Sequence, residues 1–103
     1  MTDLMSKTAL VTGGGTGIGF GIAAKLLEAN AHVTIAGRRE DVLEEAAERL
    51  EASVSSTGNI KIVCCDVTDA IAVKNAVEVA ANDKGALDIA VANAGIGAGG
   101  PFL

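Results

Sequence analysis

The sequence predicts an α/β fold: a doubly wound parallel sheet with strands and helices alternating in the order βαβαβαβ. Short apolar runs rich in β-branched residues alternate with longer segments of helical periodicity. A glycine-rich turn also joins the first apolar run to the first helical segment. Because strands separated by helix-length crossovers pair in parallel through right-handed connections, we expect the strand order 3-2-1-4.

The composition is that of one small globular domain. The chain has 103 residues, of which 50% are hydrophobic and 20% charged, and its net charge is −5. These values are too ordinary for a disordered tail. An acidic chain with only eight Lys and Arg residues lacks the basic surface that nucleic acids or anionic membranes require. We therefore expect no nucleic acid and no membrane among its partners.

The first strand and helix meet at the glycine-rich turn. Thr8–Thr12 is a short apolar run that stops at the first glycine, which predicts a buried strand. Residues 18–30 carry large apolar side chains four positions apart, which predicts a helix with one apolar stripe formed by Ile18, Ile22 and Leu26. Asn30 is expected at the exit of this helix.

The second strand and helix follow directly. Residues 32–36 predict a strand, which His32 is expected only to open. Residues 40–50 have helical periodicity, and a polar loop is expected over 53–59. The side chains expected to point inward from this helix are Leu43, Ala46, Ala47 and Leu50.

The remaining elements continue the alternation. Residues 60–64 and 87–92 predict the third and fourth strands, and Asp69 is the expected N-cap of the helix between them. That helix carries an apolar side formed by Val73, Ala76, Val77 and Ala80. The first two helices should cover one face of the sheet and the third helix the other, which leaves the fourth strand as a bare edge. We therefore expect an incomplete doubly wound sheet, the front part of a larger domain.

Two adjacent cysteines, Cys64 and Cys65, provide neither a disulfide framework nor the spacing of zinc ligands. We expect both to be reduced thiols in, or at the end of, a buried strand. The expected compartment is the cytoplasm, and no metal site is predicted.

The most informative residues form the turn between the first strand and the first helix. Glycines there allow a sharp turn and let a pyrophosphate approach the main chain, where free N–H groups and the positive helix end face it. No Lys follows the last glycine, which excludes a P-loop. The alternative is a closely packed turn without a ligand. The expected contacts are Gly13, Gly15, Thr16, Gly17, Ile18 and Gly19.

The spacing Thr-Gly-x-x-x-Gly-x-Gly at 12–19 resembles that of the short-chain dehydrogenase/reductase family. Two further motifs stand in the family's order. Asp66-Val67 after the third strand resembles the adenine-contacting pair, and Asn93-Ala94-Gly95 after the fourth strand resembles the Asn-Ala-Gly motif. Taken alone, Asp66 would also fit a simple turn and the Asn-Ala-Gly motif any loop.

The resemblance covers essentially the whole chain. It implies a Rossmann-like domain with a nicotinamide dinucleotide laid across the carboxyl ends of the strands. In that family, the Asn of the last motif, here Asn93, mainly braces the central strands. The neighbouring Ala94 and Gly95 would line the ribose of the cofactor.

The residues after the second strand predict NADP in preference to NAD. NAD-binding proteins place a carboxylate there, which binds the ribose 2′-OH. In this chain, the position that resembles the family's acidic site is Gly37. A guanidinium can hold a 2′-phosphate in a fork, so we assign Arg38 first and Arg39 second, with a hydroxyl contact from Thr16. The alternative is that both arginines are solvated loop charges near Glu40 and Asp41.

The residues that would carry out hydride transfer are not found in this chain. Members of the resembled family use a Tyr-x-x-x-Lys pair, a Ser and a further Asn, all downstream of the Asn-Ala-Gly motif. The chain contains no Tyr, so no catalytic residue is assigned, and Asn93 is not that further Asn. We expect the 103-residue chain alone to be inactive.

Three hypotheses follow. The favoured one is the front part of an NADP-dependent oxidoreductase that interconverts carbonyls and alcohols, with a small-molecule substrate and a homo-oligomeric complete protein. The second is a non-catalytic dinucleotide-binding module. The third is a partner-binding fragment whose bare strand edge pairs with another chain.

Overall fold

Strands and helices alternate along the chain in the computed structural model, which describes residues 7–13, 17–54, 59–66, 68–81 and 87–92. The strands pair in parallel in the order β3-β2-β1-β4. This confirms the predicted fold class and strand order. The elements are β1 (Thr8–Thr12), α1 (Gly17–Glu28), β2 (His32–Gly37), α2 (Glu40–Ser53), β3 (Ile60–Cys64), α3 (Ala70–Ala81) and β4 (Ile89–Ala92).

The register of the sheet places the ends of the strands together. Thr12 at the end of β1 pairs with Ala36 in β2 and Ala92 in β4. Gly37 at the end of β2 pairs with Cys64 at the end of β3. We call this side of the sheet the carboxyl edge, because the chain leaves every one of these strands there.

The two faces of the sheet are covered by different helices, as the sequence predicts. Along β2, Val33 and Ile35 pack with α1 and α2, whereas Ala36 packs with α3. This period of two follows from the alternating direction of side chains along a strand. Leu43, Ala46 and Leu50 are the buried positions of α2, as predicted, while the predicted Ala47 is half-buried. On α3, the buried positions are Ala76, Ala80 and Ala81, flanked by Val73 and Val77.

The predicted apolar stripe of α1 is wrong by one position. The buried residues are Gly19, Ala23 and Leu27, whereas Ile18 is 68% exposed and the predicted Ile22 and Leu26 are half-buried. Small residues on the line of contact let a helix approach the sheet closely, and bulky side chains then lie beside that line. The spacing of four was therefore correct, but hydrophobicity alone selected the wrong side.

The exit of α1 is as predicted. Asn30 has a positive φ of 75°. Its N–H donates to the Leu27 carbonyl at 2.8 Å, and the N–H of Ala31 donates to the Leu26 carbonyl at 3.1 Å. These two bonds form a Schellman motif, in which a left-handed residue satisfies the last carbonyls of a helix.

The end of α2 and the start of β4 differ from their predicted positions. α2 continues to Ser53 and ends at Val54, whose extended backbone donates to the Leu50 carbonyl at 2.9 Å. β4 begins at Ile89 because Asp88 bonds to Thr8 through its side chain: its Oδ2 accepts from the Thr8 N–H at 2.9 Å. A carboxylate thereby occupies the place that a strand carbonyl would take in the ladder.

The prediction of two buried thiols holds for Cys65 and is wrong for Cys64. Cys65 is 3% exposed and packs in the α3-side core, whereas Cys64 is exposed. The reason is that β3 lies at the outer end of the strand order and is only half-buried, and Cys64 is its last residue.

Within the described ranges, no helix is long and apolar enough to cross a membrane. No group of His, Cys, Asp and Glu side chains within the same ranges could hold a metal ion.

The corrected contact line of α1 gives a stability prediction for the full-length protein. Leu27→Ala should lower the free energy of unfolding by about 2–5 kcal/mol, because it leaves a cavity at a buried position. Ile18→Ala, at an exposed position of the same helix, should change it by no more than about 0.5 kcal/mol. Urea unfolding without added nucleotide measures both. Equal losses would show that Ile18 is also a core residue.

Candidate functional site

The turn after β1 is held at the carboxyl edge by its own backbone. Gly13 has φ = 70° and its N–H donates to the Ala36 carbonyl at 2.8 Å. Gly17, where α1 begins, has φ = 57°. Both values lie in the left-handed region that glycine enters without steric cost. Two of the predicted contact glycines are therefore required by the geometry of the turn.

α1 begins close to the end of β1 in sequence, and its first turn is open. Gly17 and Ile18 are exposed, while Gly19 is buried against the sheet. The first N–H groups of a helix lack partners within the helix and carry its positive partial charge. This arrangement suits an anion. The predicted contacts Gly15 and Thr16 lie outside the described residues, so the phosphate cradle as a whole stays a prediction.

The predicted residues Arg38 and Asp66 lie with Gly37 and Cys64 where β2 and β3 end. We call Gly37, Arg38, Cys64 and Asp66 the β2–β3 corner. The Cys65 N–H donates to the Gly37 carbonyl at 2.6 Å. The Cys64 thiol donates to the Arg38 carbonyl, with Sγ and O 3.4 Å apart. These contacts continue the cross-strand bonding beyond the last paired residues of the two strands.

The structure distinguishes the two arginines that the sequence offered for a 2′-phosphate. The Arg39 guanidinium pairs with the Asp41 carboxylate at 3.1 Å, and both side chains are 72% exposed. Arg38 is exposed, and no ion pair involves it in the described part of the chain. An incoming phosphate would have to compete with Asp41 for Arg39, but not for Arg38. The geometry therefore favours the first choice over the second.

Asp66 is held as an ionised carboxylate by the turn that follows β3. Its Oδ1 accepts from the Thr68 N–H at 2.9 Å and from the Thr68 hydroxyl at 2.7 Å. The backbone bond from Thr68 lowers the pKa of Asp66 most, and the hydroxyl bond lowers it further. Desolvation opposes these two bonds, and the positive charge of Arg38 contributes the smallest effect, a further lowering. The turn role and a ligand role are compatible. Val67 lies outside the described residues.

α3 begins as predicted, with Asp69 as its N-cap. The carboxylate of Asp69 accepts from the N–H groups of Ile71 at 3.0 Å and Ala72 at 3.3 Å. Its carbonyl accepts the first helical bond, from Val73. The cap sets the direction in which the chain leaves the β2–β3 corner.

The last predicted motif cannot be placed. Asn93, Ala94 and Gly95 lie outside the described residues. β4 is described up to Ala92, which pairs with Thr12, and the Thr12 hydroxyl donates to the Val91 carbonyl at 3.4 Å. The roles assigned to the motif stay predictions.

Sequence reasoning missed one residue of the corner, Cys64, and one residue that bonds to it, Thr68. Thr68 could have been found, since Asp-x-Thr is the local pattern of a turn closed by an aspartate side chain. Cys64 could not, because its contact with Arg38 joins residues 26 positions apart. A contact at that separation depends on strand register, which no local pattern encodes.

Comparison with known proteins places these features in a family. A family model described as short chain dehydrogenase matches residues 7–103. Oxidoreductase asL5 of Sarocladium schorii is 39% identical over 100 residues, which cover 96% of this chain and 37% of that protein. This chain therefore spans little more than a third of the length of that curated relative.

Solved structures agree. A short-chain type dehydrogenase/reductase from Mycobacterium ulcerans matches with a TM-score of 0.83 and 38% identity, covering 88% of this chain and 33% of that one. L-sorbose reductase from Gluconobacter frateurii, complexed with NADPH and L-sorbose, matches with a TM-score of 0.80 and 33% identity, covering 91% and 35%. With the family model matching nearly every residue, this chain belongs to the short-chain dehydrogenase/reductase family.

Proposed function

We propose that the protein to which this chain belongs is an NADP-dependent oxidoreductase that transfers hydride between a carbonyl and an alcohol. Residues 1–103 would form the N-terminal part of one Rossmann-like nucleotide-binding domain. The observation that carries the choice of NADP is the exposed Arg38 guanidinium, which follows Gly37 at the end of β2 and has no ion pair among the described residues.

The charge at the end of β2 suits a 2′-phosphate. A carboxylate at position 37 would repel a 2′-phosphate and accept hydrogen bonds from a 2′-hydroxyl, but this chain has no side chain there. Steric crowding does not exclude one. A Cβ added to Gly37 would lie 3.4 Å from Leu43 Cδ2, which is an ordinary van der Waals contact. The end of β2 could therefore accept either chemistry, and Arg38 would set the preference.

The remaining contacts would be made at the same carboxyl edge. Backbone N–H groups at the open start of α1 would bind the pyrophosphate, and the ionised Asp66 would accept from the amino group of the adenine. The bound nicotinamide would supply or accept the hydride. The residues assigned to the dinucleotide are Gly13, Gly15, Thr16, Gly17, Ile18, Gly19, Arg38, Asp66, Val67, Asn93, Ala94 and Gly95.

Other parts of the proposal concern the whole protein. A small-molecule substrate, a homo-oligomeric assembly and a cytoplasmic location are expected from the sequence and its family. The complex of L-sorbose reductase with NADPH supports a phosphorylated dinucleotide, since that relative has the same fold at 33% identity.

Exchanging the charge at the end of β2 tests the choice of cofactor. In the full-length protein, Gly37→Asp combined with Arg38→Asp should raise the Kd of NADPH by about 10- to 100-fold, the factor that a lost charged hydrogen bond represents, and should lower the Kd of NADH. Titration of the nicotinamide fluorescence measures both constants.

Arg39→Ala is the matched control for that exchange. Because Arg39 is already paired with Asp41, its loss should change the two constants far less than the double substitution. An unchanged ratio of the two Kd values in the double variant would sink the assignment of NADP.

The ionisation of Asp66 provides a test that needs no nucleotide. Its folded pKa lies below 3.8, so any stability gained from its bonds is present at higher pH and is lost as the pH falls through the folded pKa. Thr68→Ala, which removes the hydroxyl donor, should move the pKa upward toward 3.8, whereas Thr68→Ser should leave it low. Carboxyl NMR titration gives both pKa values. Equal pKa values in the two variants would contradict the role of the hydroxyl.

Activity of the isolated chain separates binding from catalysis. A 103-residue polypeptide without Tyr should not oxidise NADPH with any carbonyl substrate, because it supplies no Tyr to protonate the product oxygen. The assay follows NADPH absorbance with pure polypeptide, and the full-length protein serves as the positive control. Turnover by the short polypeptide would refute the proposal that the catalytic residues are not among these 103.

A further inference from the structure

The exposed thiol of Cys64 contacts the backbone of the residue that we assign to the 2′-phosphate. Its Sγ lies 3.4 Å from the Arg38 carbonyl oxygen and donates to it. Arg38 comes directly after β2, whose last paired residue is Gly37, and two residues before the start of α2. Arg38 itself therefore lies outside both the strand ladder and the helix, and the Cys65 N–H holds only the preceding carbonyl, that of Gly37.

We propose that Cys64 is a positioning residue for the 2′-phosphate: its thiol fixes the Arg38 peptide and so directs the guanidinium toward the bound phosphate. The proposal rests on the function proposed above. Cys64 itself would touch neither the substrate nor the cofactor. Cys64 would thus contribute to NADP recognition from β3, whereas Arg38 follows β2.

The negative charge of Asp66 is the reason that the position of Arg38 would affect phosphate binding. Asp66 lies near enough for Arg38 to act on its carboxylate electrostatically, although the two side chains form no ion pair. A guanidinium on a loose backbone could turn toward that carboxylate and away from a ligand. An anchored Arg38 peptide limits this alternative and reduces the conformational entropy lost on binding phosphate.

The neighbouring cysteine lies in a different environment. The Cys65 N–H donates to the Gly37 carbonyl at 2.6 Å. Its thiol is buried, and burial raises its pKa, with the negative charge of Asp66 adding to the effect. The side chain that reaches the Arg38 carbonyl thus comes from Cys64, and Cys65 offers an internal comparison for thiol chemistry.

The effect should be specific to the phosphorylated cofactor. In the full-length protein, Cys64→Ala should raise the Kd of NADPH by about threefold, the size expected for one weak neutral hydrogen bond, and leave that of NADH unchanged. Cys64→Ser keeps a donor and should restore the NADPH constant to within about 1.5-fold of the wild type. Both constants come from fluorescence titration, and the Tm of each variant is recorded alongside.

Lys61→Met is the matched control. The Lys61 ammonium donates to the Val79 carbonyl at 3.2 Å, so this variant also removes a side-chain bond to a carbonyl from β3, but toward α3 and away from the corner. It should leave the ratio of the NADPH and NADH constants unchanged. Equal weakening of both cofactors by Cys64→Ala would mean a merely structural role and would overturn the proposal.

Thiol labelling of the wild-type protein gives a second measurement that depends on no variant. Saturating NADPH should slow the reaction of Cys64 with N-ethylmaleimide more than saturating NADH does, because only NADPH has the 2′-phosphate that would hold Arg38 and, with it, the carbonyl to which the thiol donates. Fragment-ion mass spectrometry separates Cys64 from the buried Cys65. Equal protection by the two cofactors would count against the proposal.

The outcomes distinguish this proposal from the one on which it rests. If the exchange at Gly37 and Arg38 alters the Kd ratio while Cys64→Ala does not, only the positioning role is wrong. If that exchange has no effect, the choice of NADP is wrong and the positioning role is refuted with it.

Discussion

The parallel pairing of β1 with both β2 and β4 is the constraint on which the rest of the structure depends. Because Thr12 is in register with Ala36 and Ala92, every chain segment that leaves these strands does so at one edge of the sheet. The pairing also buries Leu10 and Val11 on opposite faces, so both faces must be covered by helices. Residues far apart in sequence are thus brought to one edge without any direct contact between their side chains.

Close packing of α1 follows from that constraint and explains where sequence prediction failed. The strand order, the helix faces of α2 and α3, the Asn30 exit and the Asp69 cap could be predicted, because periodicity and capping chemistry are local. The buried stripe of α1 could not, because the contact line is selected by how near the helix must come to the sheet. Gly19 and Ala23 permit that approach, and a hydrophobicity pattern gives weight to Ile18 instead.

In the candidate site, too, some features could be predicted from the sequence and others could not. The glycines and the residues at the end of β2 could be assigned from their order in the chain, since loops that follow parallel strands share one edge. The contact of Cys64 with Arg38 depends on strand register. The exposure of Cys64 depends on the position of β3 at the edge of the sheet. The start of β4 moved because one carboxylate, that of Asp88, bonds to the backbone of Thr8. A side chain that replaces a backbone hydrogen-bond partner in this way does not alter the hydrophobic periodicity of the sequence.

An acidic chain can recognise an anionic cofactor only through local fields. With a net charge of −5, the long-range potential opposes the approach of phosphate, and salt screens it beyond about 8–10 Å. Backbone amides at the start of α1 are neutral overall and would attract phosphate only at close range, so they would serve NAD and NADP equally. Discrimination would then rest on the Arg38 guanidinium, which no acidic neighbour in the described chain has paired.

Because the amides of α1 would serve both cofactors alike, the β2–β3 corner is the place where substitutions would change the choice of cofactor without disturbing the fold. The side chains of the corner are mostly exposed, and Gly37 tolerates a Cβ beside Leu43. Substitutions there replace none of the residues that form the left-handed turn at Gly13 or the buried line of α1. The pyrophosphate cradle would make the same contacts with NAD and NADP, whereas only the contacts of the corner would depend on the 2′-phosphate.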